Sequence, residues 1–156
     1  MAKITNVILL EQPEQPAIII SEVLPMNEMA DFIDKSFYKL SDYLNSLGEI
    51  PSDVPFVAYH NWKNMYSRDI KVTIGLPIVR ELPPANGIES VIIPSRKNVV
   101  SFYRGGYKSM DVVYAEMEKW AAENGIALTP DCFEFYYNGP EFEEEDFLTK
   151  VHFPVK

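Results

Sequence analysis

The sequence predicts an α+β fold: a tandem β-α-β-β duplication, with a curved antiparallel sheet, two helices on one face, and a ligand groove between the repeats. Three observations lead there. Two stretches carry apolar residues at three- and four-residue steps, and strand-like runs flank both. A shift of 77 residues lays one half of the chain on the other. The stretch Cys132 to Pro140 alternates like a strand and ends in a turn signal, yet sets a carboxylate, Glu134, among aromatic residues.

Ile4 to Leu10 is an apolar run of strand length, and the two prolines that follow, Pro13 and Pro16, should interrupt its ladder. Ala17 to Val23 reads as a second strand. Met26, Met29, Ile33, Phe37, Leu40, Leu44 and Leu47 then form one stripe of a helix of about six turns, with Gly48 where a left-handed C-cap belongs. Phe56 to Trp62 and Ile70 to Val79 are the next strands. In the latter, Ile70, Val72, Ile74, Leu76 and Ile78 alternate with other residues, so one face is core and the other is open or lined differently. Pro83 to Gly87 is a loop by composition, and Ile88 to Ile93 and Asn98 to Tyr103 are strands again. Ser109 is the expected N-cap of the second helix, whose stripe is Met110, Val113, Tyr114, Met117, Trp120 and Ala121, and Asn124-Gly125 ends it. The Glu134 strand, an acidic turn and a strand from Thr149 to Val155 close the chain.

Under the shift of 77, Gly48 falls on Gly125, Phe56 on Phe133, Tyr59 on Tyr136, Asn61 on Asn138, Asp69 on Asp146 and Pro77 on Pro154, with no gap from Tyr43 to Val79. The helix stripes coincide as well: Ile33 on Met110, Phe37 on Tyr114, Leu40 on Met117. One domain over residues 1–156 follows, with repeats at about 17–79 and 94–156. A groove where two such halves meet is a usual place for small ligands. Glu134 and Tyr136 share one strand face, and Phe133, Phe135 and Tyr137 the other. The repeat mate of Glu134 is Val57, so the acid is introduced on one side of an otherwise symmetric aromatic site.

A formal charge of -9 on 156 residues disfavours direct nucleic-acid binding, which rests on clustered Lys and Arg. With one cysteine, Cys132, and two histidines, His60 and His152, there is no disulfide and no metal-ligand spacing, and no cofactor is expected. The N-terminus reads as neither a signal peptide nor a membrane span, so a soluble cytoplasmic protein is expected. Tyr59, Trp62, Phe102, Tyr103 and Tyr107 are the expected stacking walls for a flat apolar ligand, and Met110 suits either a core or a ligand surface. The run Glu141 to Asp146 is a solvated tip or, alternatively, an acidic patch for a basic protein partner.

Val99 to Tyr107 with Gly105 and Tyr107, then Trp120, Glu134 with Tyr136, and Lys150 to Val155 with Pro154 together resemble the GyrI-like small-molecule-binding domain, also the effector-binding domain of multidrug-responsive bacterial transcription activators. The resemblance spans essentially the whole chain. It implies two β-α-β-β units around a ligand groove, with Glu134 as the central acid of an aromatic pocket that meets cationic lipophilic compounds. Some stand-alone members hydrolyse cyclopropanoid DNA-alkylating natural products, and one is a gyrase inhibitor.

The expectation is therefore a stand-alone protein that captures lipophilic aromatic or cationic compounds. Its enzymatic version hydrolyses cyclopropanoids, with Glu134 as general base and Tyr136, Tyr103 or Tyr107 as the donor to the developing oxyanion. The alternative is a protein-interaction module, either a gyrase inhibitor or a partner of a transcription regulator.

Overall fold

A computed structural model describes residues 3–156. The strands are β1 (Lys3–Ile4), β2 (Ile8–Gln12), β3 (Gln15–Leu24), β4 (Phe56–Tyr59), β5 (Ile70–Pro77), β6 (Glu89–Ile93), β7 (Arg96–Arg104), β8 (Cys132–Tyr136) and β9 (Leu148–Pro154). The helices are α1 (Met29–Ser46) and α2 (Met110–Glu123), each entered through a 3₁₀ turn. One sheet holds all the strands in the order β1-β7-β9-β8-β4-β5-β3-β6, with β2 also on β7 and every pairing antiparallel.

The central six strands read the same from either side of the β8–β4 seam, as a duplicated β-α-β-β unit requires. At that seam Val57 lies directly opposite Glu134. Because the same two residues are repeat mates, the pseudo-twofold axis runs between them. The halves also share their inner register, since Phe56 faces Gly75 as Phe133 faces His152. They differ in helix length: α1 has 18 residues and α2 has 14, one turn fewer. Both helices stop at a glycine with positive φ, Gly48 at 67° and Gly125 at 66°, where a side chain is disfavoured.

The segments outside the repeats tie the sheet's flanks together. The apolar run at the N-terminus is not one strand, because Ile4 pairs with Tyr103 and Ile8 with Val100, which leaves one extra residue at a bulge between them. Nor do the prolines end the pairing. Gln12 faces Arg96 and Gln15 faces Ile93, so β2–β3 and β7–β6 form one antiparallel ribbon that bends at Pro13-Glu14 opposite Pro94-Ser95. From β2 to β3, and from β7 to β6, is six strand spacings, about 29 Å if flat, whereas each two-residue link, three Cα steps, reaches only about 11 Å. The sheet must therefore curl strongly where the ribbon crosses.

Three apolar clusters fill the structure. Leu40 and Leu44 of α1 pack with Ile74 and Ile18, and Val113 and Met117 of α2 pack with Val151 and Phe153. On the opposite face Phe56, Phe133 and Phe135 form the third, covered by Ile19, Val91 and Ile93. Hence β5 is buried on both sides. Ser109 does not cap α2: its backbone is turned (φ -103°, ψ 14°) rather than extended, so its hydroxyl makes no capping bond.

Phe56 lies over Gly75, where a Cβ would stand 2.2 Å from the ring. Gly75→Ala is expected to lower stability by about 1–3 kcal/mol through overpacking, read as a fall in the urea midpoint. An unchanged midpoint would show that the ring moves aside freely.

Candidate functional site

The two helices stand apart over the seam and leave a cavity of about 1230 Å³ with Glu134 on its floor. Glu134 is 6% exposed, so its carboxylate is almost wholly withdrawn from water. Two phenols take water's place. Tyr136, two residues on and thus on the same strand face, donates to Oε1 at 2.7 Å. Tyr114 donates to Oε2 from α2. Burial raises the Glu134 carboxyl above its ordinary value, and the Tyr114 and Tyr136 bonds pull the other way. Burial also pushes Tyr59, Tyr114 and Tyr136 well above the usual phenol range, reinforced by the nearby acid. The phenols stay protonated, so Tyr114 and Tyr136 remain donors to the acid.

The left-handed backbone at Asn61 (φ 59°) ends β4 at Tyr59 and turns the chain outward, so the strand does not reach Trp62. Trp62 crosses to the second repeat, stacked on Phe153 at 5.6 Å and edge-on to Tyr114 at 4.9 Å. Next to it Lys63 forms an ion pair with Glu118 of α2 at 2.7 Å. The repeat-equivalent loop of the other half brings Glu141, Glu144 and Phe147 to the opposite rim. Tyr107 packs between Tyr136 at 5.6 Å and Phe147 at 5.3 Å. On α1 the predicted stripe divides: Leu40 and Leu44 enter the core, whereas Ile33 and Phe37 are half-buried and face the cavity.

Of the residues singled out in the sequence, Glu134, Tyr136, Tyr59, Trp62, Tyr107 and Met110 all line this cavity. Phe102 and Tyr103 do not. Neighbours on a strand point to opposite faces, so the two cannot both reach the groove. Phe102 lies against Tyr137 on the far face. Tyr103 is buried beneath α2 and donates to the Gly106 carbonyl at 2.6 Å, holding the turn into that helix. The geometry therefore removes Tyr103 as the proton donor.

Tyr114 is the residue that sequence reasoning placed in the core without a role. Its signal was present: Tyr114 is the mate of Phe37 as Glu134 is the mate of Val57, and both replacements are apolar to polar. The two introduced groups are hydrogen-bonded to each other.

The acidic run is not only a solvated tip, because Glu141 and Glu144 join Asp34, Asp111, Glu118 and Glu134 in the cavity wall. Against these six carboxylates stand Lys63, already paired, and Lys108. The field in the cavity favours a cation. His60 bonds the Thr73 hydroxyl at 2.9 Å and meets Asp131 at 3.2 Å, but Thr73 points to the far face and is buried. His152 is fully buried, its ring nitrogens without partners among the described residues, and burial lowers its pKa to about 3. Among the described residues no group of three His, Cys, Asp or Glu could hold a metal. No helix among them is long and apolar enough to cross a membrane.

A curled, duplicated sheet with a large aromatic cavity and a buried acid at its axis defines a small-molecule-binding domain. The chain belongs to the GyrI-like small molecule binding domain family, whose model matches residues 5–156. No curated protein sequence matches it significantly. Solved structures share the fold. EcmrR in its DNA complex has 20% identity and a TM-score of 0.84 over 97% of this chain, which spans 57% of the EcmrR chain. A hydrolase encoded by lin2189 from Listeria innocua has 13% identity and a TM-score of 0.73, covering 96% of this chain and 91% of its own. SAV2435 bound to tetraphenylphosphonium has 13% identity and a TM-score of 0.66, over 97% and 94%.

The raised Glu134 carboxyl sets a pH dependence. The folded state holds the proton more tightly than the unfolded chain, so this group's contribution is full at low pH. It is lost as pH rises from the ordinary value of 4.5 through the raised folded value. Subtracting the Glu134→Gln stability profile from that of the wild type should show this loss across the window, and a flat difference would refute it. Tyr114→Phe should lower stability by about 1–3 kcal/mol by removing a bond to a buried carboxylate, and should extend the upper end of the window to higher pH.

Proposed function

We propose that the protein captures lipophilic aromatic cations in the cavity over the β8–β4 seam. The observation that carries this reading is Glu134: a buried carboxylate, held by two phenols, at the floor of a cavity walled by aromatic rings and further acids. A buried acid with no cationic partner costs stability that two phenol bonds offset only in part. A bound cation relieves that cost and is held in addition by the faces of Trp62, Tyr107 and Tyr136. The likeness to SAV2435, whose structure holds tetraphenylphosphonium, supports the choice of that ion as a probe.

A second reading, hydrolysis of a cyclopropanoid electrophile, is favoured by the contact of the Tyr136 hydroxyl with Glu134 Oε1 at 2.7 Å. Glu134 takes a proton from water as the water oxygen bonds to the strained ring carbon. The ring C–C bond breaks, its electron pair moves to the conjugated carbonyl oxygen, and that oxygen takes a proton from a phenol. Tyr136 and Tyr107 stand in the cavity to supply it. The likeness to the Listeria hydrolase agrees with such a use of the fold.

Calorimetric titration with tetraphenylphosphonium separates charge from shape. Glu134→Gln should weaken binding of the cation at least tenfold, about 1.4 kcal/mol, and leave a neutral aromatic of the same size little affected. Equal losses for both ligands would reject the role given to the carboxylate. Incubation with a cyclopropanoid alkylator, followed by chromatography and mass, tests turnover. Water-opened product from the wild type but not from Glu134→Gln is the expected result for the hydrolytic reading, and recovery of intact compound from both would reject it.

A further inference from the structure

The face of the sheet away from the helices carries a second cavity, of about 150 Å³, roofed by the ribbon corner at Pro13 and Pro94 and floored by Phe56 and Phe135. Arg96 and Lys150 line it. The Arg96 guanidinium lies 4.4 Å from the Phe133 ring centre, and Lys150 Nζ lies 4.7 Å from that of Phe135. Such contacts hold the Lys150 head against the floor and the Arg96 head against the neighbouring Phe133 ring. Neither cation forms an ion pair among the described residues, in a chain with 23 acids and only 14 Lys and Arg. Arg96 feels the field of Asp131, but that acid contacts His60.

The remaining polar groups of the wall are largely committed. Gln15 donates through Nε2 to the Pro16 and Ile78 carbonyls, and Asp53 accepts from the Val54 amide through Oδ1 at 2.7 Å. Gln12 spends its carbonyl on Asn98 Nδ2 at 2.7 Å, which leaves its amide N–H groups as donors. The cavity thus offers two cations, one carboxylate and an amide donor over an apolar floor, a net charge of one positive.

We propose that this cavity binds a small organic carboxylate, its two oxygens taken by Arg96 and Lys150 and its apolar body laid against Phe56 and Phe135. Arg pairs naturally with the planar carboxylate fork. A phosphate dianion fits less well, because its further oxygens would meet ring and proline surface without donors, and Asp53 repels the second charge. Burial lowers the pKa of Arg96, a desolvation that a bound anion offsets. The site lies on the other side of the sheet from Glu134 and does not depend on what the large cavity binds.

The test is a titration of the isotopically labelled protein with benzoate, benzamide and inorganic phosphate, followed by amide chemical shifts. Benzoate should give saturable shifts in β8, β9 and the ribbon corner, and its neutral isostere benzamide none there. Lys150→Met, which keeps the apolar stem, and Arg96→Gln should each weaken benzoate about tenfold or more, the loss of one charge-assisted contact. The same spectra report whether each variant is folded; should Arg96→Gln unfold, Lys150→Met carries the test. Absence of saturable shifts, equal binding of benzamide, or benzoate affinity unchanged in folded Lys150→Met would overturn the proposal. Tighter binding of phosphate than of benzoate would overturn the carboxylate class.

Discussion

The rest of the structure depends on one buried carboxylate meeting two phenols at a symmetry axis. A charge withdrawn from water is stabilised only by groups already aimed at it, and aiming them requires fixed elements. Tyr136 is aimed by the pleat of β8, and Tyr114 by the packing of α2 through Val113 and Met117. The second helix therefore belongs to the site as much as to the core. Having acid and phenol in one half only, where the other half has Val57 and Phe37, is chemically coherent, because the phenol alone would lack its acceptor and the acid alone would keep only Tyr136.

Duplication explains the shape of the site, and departure from duplication explains its chemistry. Two acids facing each other across the β8–β4 seam would repel at short range. A valine opposite the glutamate leaves a single acid with an apolar neighbour. The same logic operates on the far face, where Gly75 makes room for the Phe56 ring while its mate His152 occupies the corresponding place beside Phe135.

Much of this was legible from residue patterns. The period change near Met26, the paired glycines after the helices and the shift of 77 gave two β-α-β-β units, and the faces of β8 followed from alternation alone. Long-range pairing was not legible. Ile8 meets Val100 across more than ninety positions, and nothing local announces that Pro13 and Pro94 bend together rather than end two strands. The error at Phe102 and Tyr103 was of another kind, since the alternation rule applied to Glu134 and Tyr136 already forbade placing both in the groove. Tyr114 stayed hidden because a tyrosine on a helix stripe looks like core until the approach of helix to sheet is known.

The bent ribbon has a mechanical consequence. By joining the sheet's two flanks behind Phe56, Phe133 and Phe135, it braces the curl, and the floor of the large cavity is set by backbone pairing rather than by movable side chains. The adaptable parts are in the walls: the flexible side chains of Met26, Met65 and Met110, and the two rim loops, of which one is tethered to α2 through Lys63 and Glu118. A wall that can repack and a fixed position for the acid thus belong to different parts of one small domain.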